Sequence, residues 1–134
     1  MHNWRIVDNT YLYDGSIHGL FSLISHCIEL KLVPNKIMAE NDYTDNLIEM
    51  PVFINSDNDK YNALLNAVKK ISAFSLYNIY TSFLSSNENK DSIIFKYALS
   101  VLKHGKKFDF MKSNEVLIQM NNISKKVVRV VIWI

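Results

Sequence analysis

The chain has 134 residues, 49% of them hydrophobic, and a formal net charge of +2. That much apolar surface supports an ordinary core and excludes global disorder, and a single domain over residues 1–134 is expected. The lone Cys27 excludes an internal disulfide and a zinc knuckle. The polar start Met1-His2-Asn3-Trp4-Arg5 lacks a signal peptide's apolar run. No stretch approaches the ~18 apolar residues of a bilayer span, so no membrane role and a reducing cytoplasm are expected.

The small net charge hides a division by position. Residues 1–60 carry 4 Lys/Arg against 9 Asp/Glu, a net of −5, and residues 61–134 carry 11 against 4, a net of +7. Lysine outnumbers arginine 13 to 2, a bias that AT-rich coding produces. Such coding does not explain why the excess sits in one half. An asymmetry of this kind points to a polyanionic partner.

In chain order, Thr10-Tyr11-Leu12-Tyr13 is β-favouring, and Asp14-Gly15-Ser16 turns it into a helix that Ser16 caps. Ile17, Leu20, Phe21, Ile24, Cys27 and Ile28 recur at helical spacing, His18, Ser22, Ser25 and Glu29 take the opposite face, and Pro34 ends the segment. Lys36-Ile37-Met38 and Pro51-Val52-Phe53-Ile54 read as short strands around an acidic, Asn-rich loop from Glu40 to Glu49. Ser56-Asp57-Asn58-Asp59 begins the next helix and sets carboxylates at its positive end. Its stripe is Tyr61, Leu64, Leu65, Val68 and Ile71.

Ser72 caps a further helix on which Phe74, Leu76, Tyr77, Ile79, Tyr80, Phe83 and Leu84 cover most of the circumference. An all-round apolar helix belongs in the middle of a fold. These aromatics therefore read as core rather than as platforms for stacking bases. A fourth helix starts near Asp91, buries Ile93, Ile94, Tyr97, Ala98, Val101 and Leu102, and ends at Gly105. Ser113 caps the last, with Val116, Leu117, Met120, Ile123 and Val127 inward. The fold expected is α+β, mostly helical, with about five helices and a few short N-terminal strands.

On the fourth helix Lys96, Ser100, Lys103 and Lys107 follow an i, i+4, i+7, i+11 stripe. Lys106, Lys112, Lys125, Lys126 and Arg129 extend the same basic surface. Contacts of such residues with phosphates are sequence-independent and steeply salt-dependent. A solvated helix face with lysines complementing the dipole is the plainer alternative. His104 continues the edge of the apolar stripe, as an acid/base group, a phosphate donor, or simply a helix-end residue, with Asp109 near enough in sequence to orient it. His18, His26 and Cys27 lack any CxxC or HExxH spacing, so no metal is expected. No P-loop, GxGxxG or GxSxG occurs, no cofactor is implied, and no catalytic set is identified.

Four segments in order carry a resemblance. They are Tyr11-Leu12-Tyr13-Asp14-Gly15 leading into a helix, Lys70-Ile71-Ser72 followed by residues 76–85, Ile94-Phe95-Lys96-Tyr97 through Gly105-Lys106-Lys107-Phe108-Asp109, and Val116 to Arg129. Together they resemble a bacterial DNA metabolism protein family, a domain of largely unknown function, over residues 10–129. Members are often encoded beside a radical-SAM protein, and some carry a fused uracil-DNA-glycosylase-like domain. The resemblance implies a role near DNA repair and supplies no catalytic residue. It attaches a nucleic-acid-binding role to the basic residues read above from charge and spacing, Lys96, Lys103, His104, Lys106, Lys107, Lys125, Lys126 and Arg129. The competing expectations are a protein-interaction module docking a radical-SAM partner, and a DNA-processing enzyme with an incomplete site. In the family the last helix runs on through an Arg-Glu-x-His-like segment. Here an apolar Val130-Val131-Ile132-Trp133-Ile134 follows, which reads as a truncated end with a tendency to self-associate.

Overall fold

The computed structural model describes residues 3–133, with side chains as far as residue 129. The self-association assigned to the apolar tail rests on side chains outside those described. The fold is α+β and mostly helical, with five α-helices among the described residues and a three-stranded parallel sheet near the N-terminus. The chain divides into two compact units, residues 1–64 and 65–134. Residues 61–64 carry no charge, so the units hold the −5 and the +7 respectively.

The first unit is built on β1 (Arg5–Tyr13), flanked by β2 (Leu32–Ala39) and β3 (Val52–Phe53) in the order β2-β1-β3. Tyr11, Leu12 and Tyr13 are all buried, as in a strand covered on both faces. The β1–β2 ladder is irregular between Val7 and Thr10. There the Thr10 N–H donates to Glu49 Oε1 at 2.9 Å and Asn9 Nδ2 donates to the Met50 carbonyl at 2.9 Å. Those two bonds tie the far end of the acidic loop to the strand.

Helix α1 (Ile17–Leu30) returns the chain to β2. Ser16 caps it by accepting from the Gly19 N–H at 2.9 Å. Asp14 Oδ1 in turn accepts from the Ser16 hydroxyl at 2.6 Å and the Ser16 N–H at 2.9 Å, which holds its carboxyl below the usual range. A Cβ at position 19 would run into the Asp14 carboxylate, which would have to move out of its bonds to Ser16. Pro34 does not end the helix. It stops earlier, where Lys31 turns into the left-handed region (φ 55°) and its N–H bonds back to the carbonyls of Cys27 and Ile28. Pro34 lies inside β2, an edge strand in the sheet order, where a missing N–H is tolerated.

The serines of α1 also depart from expectation. Ser22 is fully buried and accepts the Asp57 N–H at 2.9 Å, and the Ser25 hydroxyl donates to the Lys60 carbonyl at 2.6 Å. The face predicted to meet water therefore holds the start of α2 (Asn58–Ile71). Asp57 Oδ1 caps that helix by accepting the Lys60 N–H at 3.0 Å.

The second unit packs α3 (Ala73–Phe83), α4 (Lys90–His104) and α5 (Glu115–Trp133) against one another. Ile79, Ile94, Phe95, Tyr97, Ala98, Val101, Phe108, Leu117 and Met120 are buried. Helix α4 ends at His104, and Gly105 (φ 70°) starts a 3-10 turn, Gly105–Phe110. The last helix is capped by Asn114 rather than Ser113. Its Oδ1 accepts from Val116 N at 2.9 Å and Leu117 N at 3.2 Å.

Candidate nucleic-acid interface

Helix α3 is not the all-round core helix expected: Ile79 is fully buried, but polar residues are buried with it. Ser75, Asn78 and Ser82 are buried, whereas Phe74 is 53%, Tyr77 54% and Leu84 72% exposed. Hydrogen bonding explains how a polar face can go inward. Asp109 Oδ2 accepts the Ser72 hydroxyl at 2.8 Å and Oδ1 accepts the Ser75 hydroxyl at 3.1 Å. The Tyr97 hydroxyl donates to Ser75 Oγ at 3.2 Å and accepts from Asn78 Nδ2 at 3.3 Å. Asn78 Nδ2 also reaches Asn121 Oδ1 at 3.4 Å. A connected chain of polar groups thus runs from Asp109 to α5. Burial, which disfavours the phenolate, raises the Tyr97 hydroxyl's pKa above its ordinary value.

Ser75 and Asn78 are thus hydrogen-bonded inside, the buried Ser82 Oγ finds no partner among the described residues, and Phe74 and Tyr77 are left to solvent. Between α3 and α5 lies a groove of about 490 Å³. Phe74 and Tyr77 form one wall, Asn78 and Asn121 line it, and Lys125 and Arg129 stand along α5. Lys125 and Arg129 are both exposed. A second hollow of about 420 Å³ includes Leu84, Ile123, Val127 and Lys126, so α5 presents cations toward two recesses.

The remaining predicted residues divide between helix and turn. Lys96 and Lys103 are exposed on α4, and the Ser100 hydroxyl folds back onto the Lys96 carbonyl at 2.9 Å. Lys106 and Lys107 are exposed but lie on the 3-10 turn. The helical stripe therefore stops at Lys103, because Gly105 takes a positive φ that ends α4. The His104 ring lies 5.6 Å from that of Phe108 at an interplanar angle of 8°. Asp109 does not orient it, since both carboxylate oxygens accept serine hydroxyls.

His18, His26 and Cys27 each sit in a different setting. His18 stacks on Tyr61 at 3.8 Å between centroids, and His26 Nδ1 lies 3.2 Å from Lys60 Nζ. Burial, and after it the Lys60 charge, lower the His26 pKa. Cys27 is fully buried, and burial pushes its thiol up to about 12. Among the described residues no group of three His, Cys, Asp or Glu is placed to hold a metal, and no helix is long and apolar enough to cross a membrane.

No protein-family model, curated protein or solved structure matches the chain. The α3 aromatics are the functional candidates that the sequence pattern hid. Ser75, Asn78 and Ser82 at helical spacing were the available signal that one side of this helix is polar.

Proposed function

We propose that residues 65–134 form a nucleic-acid-binding module, an accessory of DNA metabolism or repair. The observation that carries this reading is the coincidence of the charge boundary with the boundary of a compact unit. A unit of +7 presents Lys96, Lys103, Lys106, Lys107, Lys125, Lys126 and Arg129 to solvent. The same reading follows from the resemblance expected of residues 10–129, which no family model matches. In it these side chains contact phosphates and release counterions. His104, lying along Phe108, has a smaller part as a donor at the helix end. The test is titration of fluorescent single- and double-stranded DNA at rising salt. Affinity should fall with salt, and Lys103/Lys106/Lys107→Glu should flatten the log–log slope by up to about three, one for each phosphate contact removed. Absent binding at low salt, or binding unmoved by the triple change, contradicts the proposal.

A second reading has its own observation. In the acidic loop of the first unit Leu47 and Ile48 are 107% and 96% exposed, and Met50 just after it is 81% exposed. Neighbouring apolar side chains held out in water are a feature of protein docking surfaces. The partner proposed is the radical-SAM protein of the family's gene neighbourhood. Co-purification with that protein, lost on Leu47→Asp/Ile48→Asp, supports docking; no complex with the unaltered chain opposes it.

A further inference from the structure

From the geometry of the α3–α5 groove we infer that it binds the unpaired bases of single-stranded nucleic acid. The inference rests on the polyanion reading above and adds the site and the strand form. Three features of the groove converge on this ligand.

The first is aromatic. Phe74 and Tyr77 are one helical turn apart, both line the groove, and both are more than half exposed. Every base has a π-face, so exposed rings accept bases whatever their sequence. A duplex keeps its bases stacked on each other and cannot offer those faces without unpairing.

The second is charge. Lys125 and Arg129 occupy successive turns of α5 in the same lining. They supply cations for the backbone of a strand whose bases lie on the opposite wall. A purely apolar occupant would leave both cations without a counterpart.

The third is the amide pair. Asn78 is 2% exposed, and its hydrogen bonds to Tyr97 and Asn121 run through Nδ2. Asn78 Oδ1 and Asn121 Nδ2 take part in neither of those bonds. A side-chain amide carries both an acceptor and a donor, as the edge of a base does. The groove volume of about 490 Å³ falls in the ~300–1,000 Å³ range of small-ligand clefts.

The test uses the full chain with a fluorescein-labelled thymidine oligonucleotide and a duplex of equal length. Phe74→Ala and Tyr77→Ala should each weaken single-strand binding by about tenfold, the scale of one lost base stack. Duplex binding and the salt slope should stay as they were. Both side chains are mostly in water, and circular dichroism should report an unchanged fold. Phe74→Trp should keep the affinity and lose fluorescence when the oligonucleotide binds. If DNA binds but the Phe74→Ala/Tyr77→Ala double variant binds the single strand equally well, or Phe74→Trp is not quenched, the groove inference falls and the polyanion surface stands. If the unaltered chain binds no DNA, the polyanion reading fails first and the groove with it.

Discussion

The hydroxyl of Ser72 donates to the carboxylate of Asp109 at 2.8 Å, across 37 positions of sequence, while the same oxygen accepts the Ser75 N–H at 3.1 Å. One hydroxyl thus caps α3 and anchors the 3-10 turn to it. Asp109 thus accepts from Ser72 and Ser75 at the start of α3, while Phe74 and Tyr77 of the same turns are more than half exposed.

Asp109→Ala should therefore destabilise the second unit by about 1–3 kcal/mol, because two serine hydroxyls lose a charged acceptor. Asp109→Asn keeps one acceptor and should cost less. Urea denaturation of the three chains checks both size and order. A loss of under half a kcal/mol for Asp109→Ala would show that the polar face is held by other means.

Gly105 has a φ of 70° and ψ of −158°, a conformation nearly confined to glycine. Nothing lies within 4 Å of a Cβ built there, so the cost of a side chain is conformational rather than steric. Gly105→Ala should cost about 1–3 kcal/mol in a thermal or urea melt. It should also shift Lys106 and Lys107 and weaken duplex DNA binding.

Much of the architecture is legible in the residues. The β-rich Tyr11–Tyr13 run, the Ser16 and Ser72 caps, and the Gly105 stop each act through local chemistry within a few residues, and each is found in place. Pro34 misleads because its effect depends on strand position, and only the sheet order makes β2 an edge. Ser113 misleads because Asn114, one residue on, makes the capping bonds instead. Helix α3 is the larger lesson. Its burial is decided by Asp109 and Asn121, both more than 30 residues away, and a hydropathy pattern carries no record of such partners. The basic residues of the candidate surface are legible as composition. Their separation into a helix face, a turn and a groove wall is not.

Cys27 is fully buried with its thiol pushed up to about 12 from an ordinary 9.0. A raised folded-state pKa means that stability is intact below about pH 9 and is lost as pH climbs toward 12. Cys27→Ala should flatten this alkaline loss, apart from a constant packing cost. At neutral pH an alkylating reagent should leave the folded chain unlabelled and label it in denaturant. Rapid labelling of the folded chain contradicts the burial.

The exposed Leu47 and Ile48 should be replaceable without harm to the fold. Leu47→Ser/Ile48→Ser should change stability by less than about 0.5 kcal/mol. Glu49→Ala should matter more, since it removes the acceptor of the Thr10 N–H and leaves the loop end tied to β1 by the Asn9–Met50 bond alone. Proteolysis within residues 40–50 should then accelerate.

The most direct measurement of the central claim is residue-resolved NMR of the isotope-labelled full chain on adding a thymidine oligonucleotide. The account predicts saturable shift changes at Phe74, Tyr77 and Asn78 on α3, at Asn121, Lys125 and Arg129 on α5, and at Lys103, Lys106 and Lys107, with residues 3–64 largely unmoved. Changes confined to residues 3–64, or none at low salt, would contradict it.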